Sequence, residues 1–353
     1  MRRIFRCLLI ILYNGKSVSI IIPAYNEEQN IARTIQSLLV QTSPPDQIIV
    51  IDDYSSDNTG KIAKELGATV LRPPQNQGSK AKAQNFALPQ VKTDYTVAID
   101  ADTSLEINAL EEMVKVMEDS TVVAACSFVI PGKIQTVWER GRFIEYMFAF
   151  TFYKEVQEWY GKPLICSGCF SIYRTEILKE MGGWQTRTLA EDMDLTWSLY
   201  AKNMKVKFNG KALCYPIEPH DFNFLGKQLK RWSHGFIQNV VFHWKDLIKI
   251  SGLREQVLVG FVDAISTGLI YFIFAPILLV INPILVVYLF GADILFIAVP
   301  VIWKGYSLKI LRKTFLSLPF YFILRVVNSI YFFEALISEL LLNKSFKKYE
   351  KGH

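Results

Sequence analysis

The sequence lacks two glycine-rich signatures of nucleotide-phosphate binding. Neither a P-loop nor a G-x-G-x-x-G fingerprint occurs in its 353 residues, so a nucleotide would have to bind by other means. Cysteine is also scarce, with five in all, and only Cys166 and Cys169 form a C-x-x-C pair. Because no second pair accompanies them, we interpret these two as reduced thiols in a loop rather than as half of a zinc site or a redox pair.

Charge is missing from two long stretches in the last third of the chain. Residues 264–281 carry no charged side chain, and after Asn282-Pro283 a second apolar stretch reaches Trp303, interrupted only by Asp293. Each approaches the ~20 residues that a helix needs to cross a bilayer. The pattern predicts a transmembrane hairpin over about 261–303 that turns at Asn-Pro. A buried soluble hairpin is the alternative.

A third apolar stretch, over about 314–342, is less uniform. It contains Arg325, Asn328, Glu334 and Glu339, and both of its flanks are basic. This pattern fits an interfacial or re-entrant helix. It also fits a span whose polar side chains face the interior of a helix bundle.

Basic residues predict how the chain meets a lipid bilayer. Those that follow the hairpin, with no acidic residue among them, are Lys304, Lys309, Arg312 and Lys313. They place that flank, and the domain before the hairpin, on the cytoplasmic side. Residues 1–16 have positive charges before a short apolar core but no small-residue cleavage site, so we expect an uncleaved anchor at the membrane interface. Because the Lys and Arg residues cluster beside apolar segments, the net charge of +6 indicates contact with anionic lipid rather than nucleic acid.

The first half alternates apolar strands with helices. Strands are expected at 17–25, 47–53, 68–74 and 95–100, with a helix after each of the first three. Continuous apolar strands that alternate with helices predict an α/β fold with a parallel sheet covered on both faces. In such sheets, ligands bind beyond the carboxyl ends of the strands.

Acidic residues converge on that edge of the predicted sheet. Pro23–Glu27, Asp52-Asp53 and the pair Asp100 and Asp102 in "VAIDADT" each follow a strand. Strand alternation would turn the last two carboxylates toward one side, although a solvated strand end or a helix cap explains that pair alone. Acids from three strands favour a hard divalent cation with positions left for phosphate oxygens. Lys80, at a helix start after a Gly-containing loop, suits those phosphates, and a solvated helix face is its alternative.

Seven ordered motifs give these patterns a family resemblance. In chain order they are "IIPAYNEEQNI", "VIDDYSSDNT", "GSKAKAQN", "AIDADT", "GCFSIYRTEIL", "AEDMDL" and "QLKRW". Over roughly residues 17–240 the chain resembles inverting family 2 glycosyltransferases with a GT-A (Rossmann-like) fold. Within that family it resembles the membrane-integrated synthases of cellulose, hyaluronan and poly-N-acetylglucosamine. The resemblance implies a cytoplasmic GT-A domain over 17–245 and a membrane region over 246–353.

The resemblance also implies a role for each matching residue. The UDP-sugar donor would be bound by Pro23, Ala24, Tyr25, Glu27, Asp53, Lys80 and Asp100, with Asp53 on the uracil. Mn²⁺ or Mg²⁺ would be held by Asp100 and Asp102. The acceptor and the diphosphate would be held by Gly168, Glu191, Gln228, Arg231 and Trp232, with Asp192 as the general base.

The chemistry of inversion requires such a base independently of the resemblance. A single displacement at a sugar carbon needs a base on the acceptor hydroxyl, while a metal offsets the charge that grows on the leaving diphosphate. Glu191, Asp192 and Asp194 place three acids within four positions, a crowding that can tune a carboxyl for proton transfer. A helix N-terminus enriched in acids is the alternative.

The motif "QLKRW" has a geometric meaning of its own. On a helix, Gln228, Arg231 and Trp232 are spaced i, i+3 and i+4 and therefore share one face. Trp can stack on a sugar ring and Arg can pair with a diphosphate, but an interfacial membrane helix shows the same mixture. Residues 138–150 resemble the segment that rests on the membrane in these synthases.

The chain also departs from the family pattern. Ala190 stands where Thr is usual, and Ser79 interrupts the usual Gly-Lys pair. Larger synthases carry more spans, so a translocation channel here would need a homo-oligomer or a partner. We expect a hexosyltransferase that elongates a glycan from a UDP-sugar, as "QLKRW" favours. Transfer of a single sugar to a polyprenyl phosphate or another lipid is the alternative, and a scaffold without activity is the third hypothesis.

Overall fold

The structure, a computed structural model, describes residues 15–347. The predicted anchor over 1–16 thus lies, apart from its last two residues, outside the described part. The chain divides into two units, of which the first comprises Met1–Gly132 and Glu158–Ile217 and the second Lys133–Gln157 and Glu218–His353.

Strands and helices alternate as predicted. The strands are β1 (Val18–Ala24), β2 (Gln47–Asp52), β3 (Thr69–Leu71), β4 (Tyr95–Ile99), β5 (Ser104–Leu105), β6 (Val122–Val129), β7 (Phe170–Arg174) and β8 (Lys205–Tyr215). The helices up to β8 are α1 (Ile31–Leu39), α2 (Thr59–Glu65), α3 (Lys80–Ala87), α4 (Ala109–Met117), α5 (Val137–Phe148), α6 (Lys154–Trp159), α7 (Thr175–Glu180) and α8 (Glu191–Ala201). Those after β8 are α9 (Phe222–Phe242), α10 (Trp244–Lys249), α11 (Leu253–Leu269), α12 (Ala275–Ile281), α13 (Pro283–Ser307) and α14 (Leu311–Leu336).

The first unit is built on an eight-stranded sheet in the order β3-β2-β1-β4-β7-β6-β8-β5. The four strands that the sequence predicts are parallel, as expected. β1 is buried on both faces, since Val18, Ile20, Ile21 and Ile22 are all fully buried. Parallel pairing brings the carboxyl ends of β1, β2 and β4 to one edge of the sheet.

Beyond β4 the sheet becomes mixed, which the sequence analysis did not predict. β7 runs antiparallel to both β4 and β6. Its first residue, Phe170, pairs with Ile99, the last residue of β4. The antiparallel direction therefore brings the loop before β7 to the edge where the parallel strands end.

The second unit contains three helices that are long and apolar enough to cross a membrane: Leu253–Ile281, Pro283–Ser307 and Leu311–Leu341. The first two form the predicted hairpin. The chain leaves its helix at Asn282, whose side chain accepts a hydrogen bond from the Ile284 N–H at 3.0 Å. Pro283 is the first residue of the next helix, where a backbone N–H would have no acceptor within the helix, so proline is well tolerated at this position.

The third helix has a polar cluster facing its neighbours. Arg325 in α14 donates to Asp293 in α13 and to Thr267 in α11, both at 2.6 Å. The Arg325 side chain is 10% exposed, and that of Asp293 is 18% exposed. This arrangement favours the interpretation of 314–342 as a span whose polar residues face a helix bundle.

Candidate functional site

The ends of β1 and β2 lie side by side at the carboxyl edge of the sheet. Ala24 is paired with Asp52, and the Asp53 N–H donates to the Ala24 carbonyl at 2.8 Å. Tyr25 is 43% exposed, whereas Glu27 is 1% exposed and accepts a hydrogen bond from the Asn30 side chain at 2.9 Å. An aromatic ring therefore faces outward at this edge, while the predicted carboxylate of Glu27 is held within the loop.

Asp52 and Asp53 differ in their partners. Asp52 forms an ion pair with Arg72 and accepts the Ser55 N–H at 2.9 Å, which ties β2 to the loop after it. Asp53 accepts the Gln77 N–H at 2.8 Å. Burial raises the pKa of Asp53, the Gln77 hydrogen bond opposes this, and the negative charge of Asp52 adds to it.

The pair Asp100 and Asp102 lies in a turn, not on a strand. β4 ends at Ile99, and the Thr103 N–H donates to the Asp100 carbonyl at 3.2 Å. The expectation that strand alternation aligns the two carboxylates is therefore wrong, because the backbone has already left the extended conformation. Both residues nevertheless remain half-buried at the end of β4.

Two residues of α1 that the sequence analysis missed support this turn. The Arg33 guanidinium donates to the Asp102 carbonyl at 2.5 Å, and the Thr34 hydroxyl donates to the Ala101 carbonyl at 2.8 Å. Their signal in the sequence is weak, since Arg and Thr are ordinary residues in an amphipathic helix. Only the packing of α1 against the turn identifies them.

A continuous set of contacts joins four predicted site residues, and we call it the Asp100–Asp192 chain. Lys80 Nζ lies 2.5 Å from Asp100 Oδ1 and donates to the Gly168 carbonyl at 2.9 Å. The Gly168 N–H in turn donates to Asp192 Oδ2 at 2.8 Å. The end of β4, the start of α3, the loop before β7 and the start of α8 thus meet at one place.

Glycine at the centre of this chain leaves room for the Lys80 ammonium group. A Cβ on Gly168 would lie 2.5 Å from Lys80 Nζ and 3.4 Å from Asp192 Oδ2. Ser79, where the sequence departs from the family pattern, caps α3 through its side chain and the Lys82 N–H at 3.4 Å. Lys80 is therefore the first residue of the helix, as predicted.

The C-x-x-C cysteines lie in the loop around Gly168, and all four described cysteines are free. Cys169 Sγ lies 3.9 Å from Cys214 Sγ rather than bonding to Cys166. The contact with Cys214 and burial both raise the pKa of Cys169 well above its usual value. This thiol is therefore a poor nucleophile, which agrees with the interpretation of reduced thiols in a loop.

The three acids of "AEDMD" occupy the first turn of α8, as the helix-N-terminus interpretation expects, but their environments differ. Asp194 is fully buried and pairs with Arg187 at 2.8 Å, which is a structural contact. Asp192 accepts the N–H groups of Gly168 and Met193, each at 2.8 Å. Asp192 is therefore held at the loop that contains Gly168, the residue whose carbonyl accepts the hydrogen bond from Lys80.

The carboxylates at this edge suit a metal that arrives with a substrate. Among residues 15–347, no group of three or more His, Cys, Asp or Glu side chains is placed to hold a metal ion. Asp100 and Asp102 supply two carboxylates, and Mg²⁺-type sites commonly use one or two carboxylates plus substrate phosphates. In this structure the cation beside Asp100 is Lys80.

The "QLKRW" residues lie on α9 of the second unit, so their predicted helical spacing is confirmed. The Asp221 side chain caps this helix by accepting the Phe224 N–H at 2.8 Å. Arg231 lines a cavity of about 470 Å³, together with Lys227 and Lys230. The Trp232 ring lies against Arg142 of α5, a residue that the sequence analysis did not single out.

Comparison with known proteins agrees with the fold and the motifs. Residues 19–182 match the family described as Glycosyl transferase family 2. This segment is therefore similar to glycosyltransferase family 2 domains.

Among its relatives, a poly-β-1,6-N-acetyl-D-glucosamine synthase from Staphylococcus epidermidis is 29% identical over 255 residues, covering 69% of this chain and 60% of that synthase. A synthase of the same name from Staphylococcus aureus (strain COL) is 28% identical over 231 residues, covering 62% of this chain and 54% of that synthase. The chain thus spans 60% or less of the length of these relatives. A solved structure of a mannosyltransferase from Pyrobaculum calidifontis, in complex with GDP-Man and Mn²⁺, has a TM-score of 0.60 at 18% identity, covering 92% of this chain and 87% of that one. This likeness confirms the predicted fold.

Proposed function

We propose that this chain is a membrane-bound inverting β-glycosyltransferase that transfers a sugar from a UDP-sugar to the end of a growing glycan. The observation that carries the proposal is the Asp100–Asp192 chain. In this chain Lys80, a residue suited to a diphosphate, pairs with Asp100 at 2.5 Å and donates to the carbonyl of Gly168, whose N–H bonds to the candidate base Asp192. A displacement needs its base and its leaving-group contacts on opposite sides of one sugar carbon.

Each part of the reaction has a candidate residue. Asp53 accepts an N–H of the uracil, and Lys80 exchanges Asp100 for the diphosphate. Asp192 takes the proton of the acceptor hydroxyl while the hydroxyl oxygen bonds to the anomeric carbon and the bond from that carbon to the diphosphate breaks. Asp100 and Asp102 would hold Mn²⁺ or Mg²⁺, which when bound would supply positive charge to offset the leaving diphosphate. The Mn²⁺ in the mannosyltransferase complex supports this assignment.

The donor and the acceptor are proposed from the relatives and from the second unit. The named activity of the staphylococcal synthases supports UDP-N-acetylglucosamine as the first donor to test. The aromatic and cationic residues of "QLKRW" support a glycan acceptor. Three candidate spans support attachment to a bilayer, and the basic residues after the hairpin support a cytoplasmic active site.

The test uses membranes that contain the chain, with individual radiolabelled UDP-sugars. Each donor is offered with Mn²⁺ or Mg²⁺ and then with EDTA, and the product is sized and partitioned between water and organic solvent. A metal-dependent polymer of high mass supports the proposal and names the donor. A small solvent-extractable product identifies a lipid acceptor instead. Membranes with Asp192→Asn are the control, and the absence of any product from every donor contradicts the proposal.

A further inference from the structure

A buried cation lies beside the "QLKRW" helix. Arg142 in α5 is 1% exposed, and a guanidinium buried to this extent must be paired. Its Nε donates to Glu218 at 3.1 Å, it bonds to Glu145, and it donates to the Tyr146 hydroxyl at 2.6 Å. Burial lowers the pKa of Arg142, but Glu145, Tyr146 and Glu218 outweigh this, so the pKa is raised. Arg142 therefore remains charged and fixed in place.

The same guanidinium lies over an aromatic ring that the proposed function uses. Its Cζ is 4.5 Å from the centroid of the Trp232 ring and 4.5 Å from that of Tyr146. Cation–π contact at this distance is attractive, and it is stronger where water is excluded. An indole has two faces, and Arg142 covers one of those of Trp232. A sugar ring can stack only on the other.

We propose that Arg142 is a positioning residue that fixes the indole of Trp232 for the acceptor glycan. The inference rests on the proposed function, because it assigns the acceptor to Trp232. If Arg142 turned away, its ion pairs with Glu145 and Glu218 would break. Trp232 is thereby held in one orientation before the acceptor arrives, which lowers the entropic cost of binding.

The network around Arg142 also reaches α14. Asn328 donates from its side-chain nitrogen to Glu145 Oε1 at 2.7 Å, so one carboxylate contacts both Asn328 and Arg142. A change at Asn328 should therefore act on Trp232 through Glu145 and Arg142. Asn328→Ala is expected to move the same observables as a change at Arg142, but by less.

The experiment distinguishes the effect of the positive charge of Arg142 from the effect of its planar shape. Arg142→Lys keeps a positive charge for the two carboxylates but removes the planar face and the fixed set of donors. The protein is labelled with 5-fluorotryptophan, and the ¹⁹F resonance of Trp232 is identified by its absence in Trp232→Phe. We expect Arg142→Lys to shift that resonance. We also expect it to raise the apparent KM for a β-linked N-acetylglucosamine oligosaccharide by about tenfold, while the KM for the UDP-sugar changes by less than about twofold.

Arg140→Lys is the matched control, since Arg140 lies on the same helix but over the Phe320 ring, at 5.9 Å. It should change neither the Trp232 resonance nor the acceptor KM. An unchanged Trp232 resonance in Arg142→Lys overturns the proposal. So does an equal rise in both KM values with a lower melting temperature, because that result shows a structural role only. If the unaltered protein transfers no sugar, the proposed function fails, and the Trp232 resonance still decides whether Arg142 positions the indole.

Discussion

Replacing Asp192 by asparagine removes the candidate base with almost no change in side-chain size. In the structure both carboxylate oxygens are engaged, Oδ2 by the Gly168 N–H and Oδ1 by the Met193 N–H, each at 2.8 Å. Asparagine offers one carbonyl oxygen, so it can accept only one of these hydrogen bonds well. Its NH₂ group then faces the other backbone N–H, donor to donor.

Two magnitudes follow from this geometry. Loss of a general base lowers turnover by roughly 10²–10⁴-fold. The hydrogen bond that asparagine cannot accept costs about 1–3 kcal/mol, which destabilises the start of α8 or the loop at Gly168 without unfolding the sheet. Because Asp53 and Lys80 keep their own partners, UDP affinity should change by only a few-fold, roughly the effect of one weakened neutral hydrogen bond.

The assay compares initial transfer rates with UDP binding, measured by calorimetry in the presence of Mn²⁺. The matched control is Asp194→Asn, two residues along the same helix. Asp194 is fully buried and paired with Arg187, so its variant should lower the melting temperature and leave turnover per folded molecule near the original value. Normal turnover in Asp192→Asn would refute the base assignment. Equal loss of turnover in both variants, without destabilisation, would also refute it.

Three other predictions concern the donor site, the lysine and the apolar helices. The pKa of Asp53 is raised above its usual value of 3.8, and its ionised carboxylate accepts an N–H more strongly than the protonated acid does. UDP affinity should therefore fall as the pH drops through that raised pKa, and Asp53→Asn should flatten the pH profile in calorimetric titrations. Lys80→Met should raise the KM for the donor by about tenfold or more through loss of a charged contact, and a KM unchanged in steady-state kinetics would remove Lys80 from the diphosphate site. Arg325→Leu leaves Asp293 without its cation and should cost about 3–5 kcal/mol, seen as a lower melting temperature in detergent. The double variant Arg325→Leu/Asp293→Leu should recover most of that loss, and no recovery would contradict the pairing.

Much of the architecture follows from local patterns in the sequence. Continuous apolar runs predict β1, β2 and β4 because a strand that is covered on both faces carries apolar side chains on both of them. The Asn282-Pro283 step marks the hairpin because Pro can begin a helix but lacks the N–H to continue one. Helical spacing places the "QLKRW" residues on one face of α9. The seven motifs carry the resemblance to family 2 glycosyltransferases, and residues 19–182 match that family.

The arrangement of the site was decided by tertiary structure. Lys80 and Gly168 are 88 residues apart, and they meet because β7 enters the sheet antiparallel to β4, a direction that no local pattern specifies. The turn at Asp100 and Asp102 likewise depends on Arg33, which packs from another helix.

Arg142 is the clearest example of a residue whose contacts no local sequence pattern predicts. In the sequence it is one arginine among other charged residues of an amphipathic segment, and nothing in its neighbours marks it as buried. Its surroundings come from Glu218, 76 residues away, and from Trp232 on another helix. Short-range periodicity records which side of a helix or strand is apolar, and from it the sequence alone determined β1 to β4, the helices between them and the edge at which these strands end. Which charges and rings meet across long separations is fixed only when the chain packs, so the tertiary structure alone decided the partners of Lys80, Asp192 and Trp232.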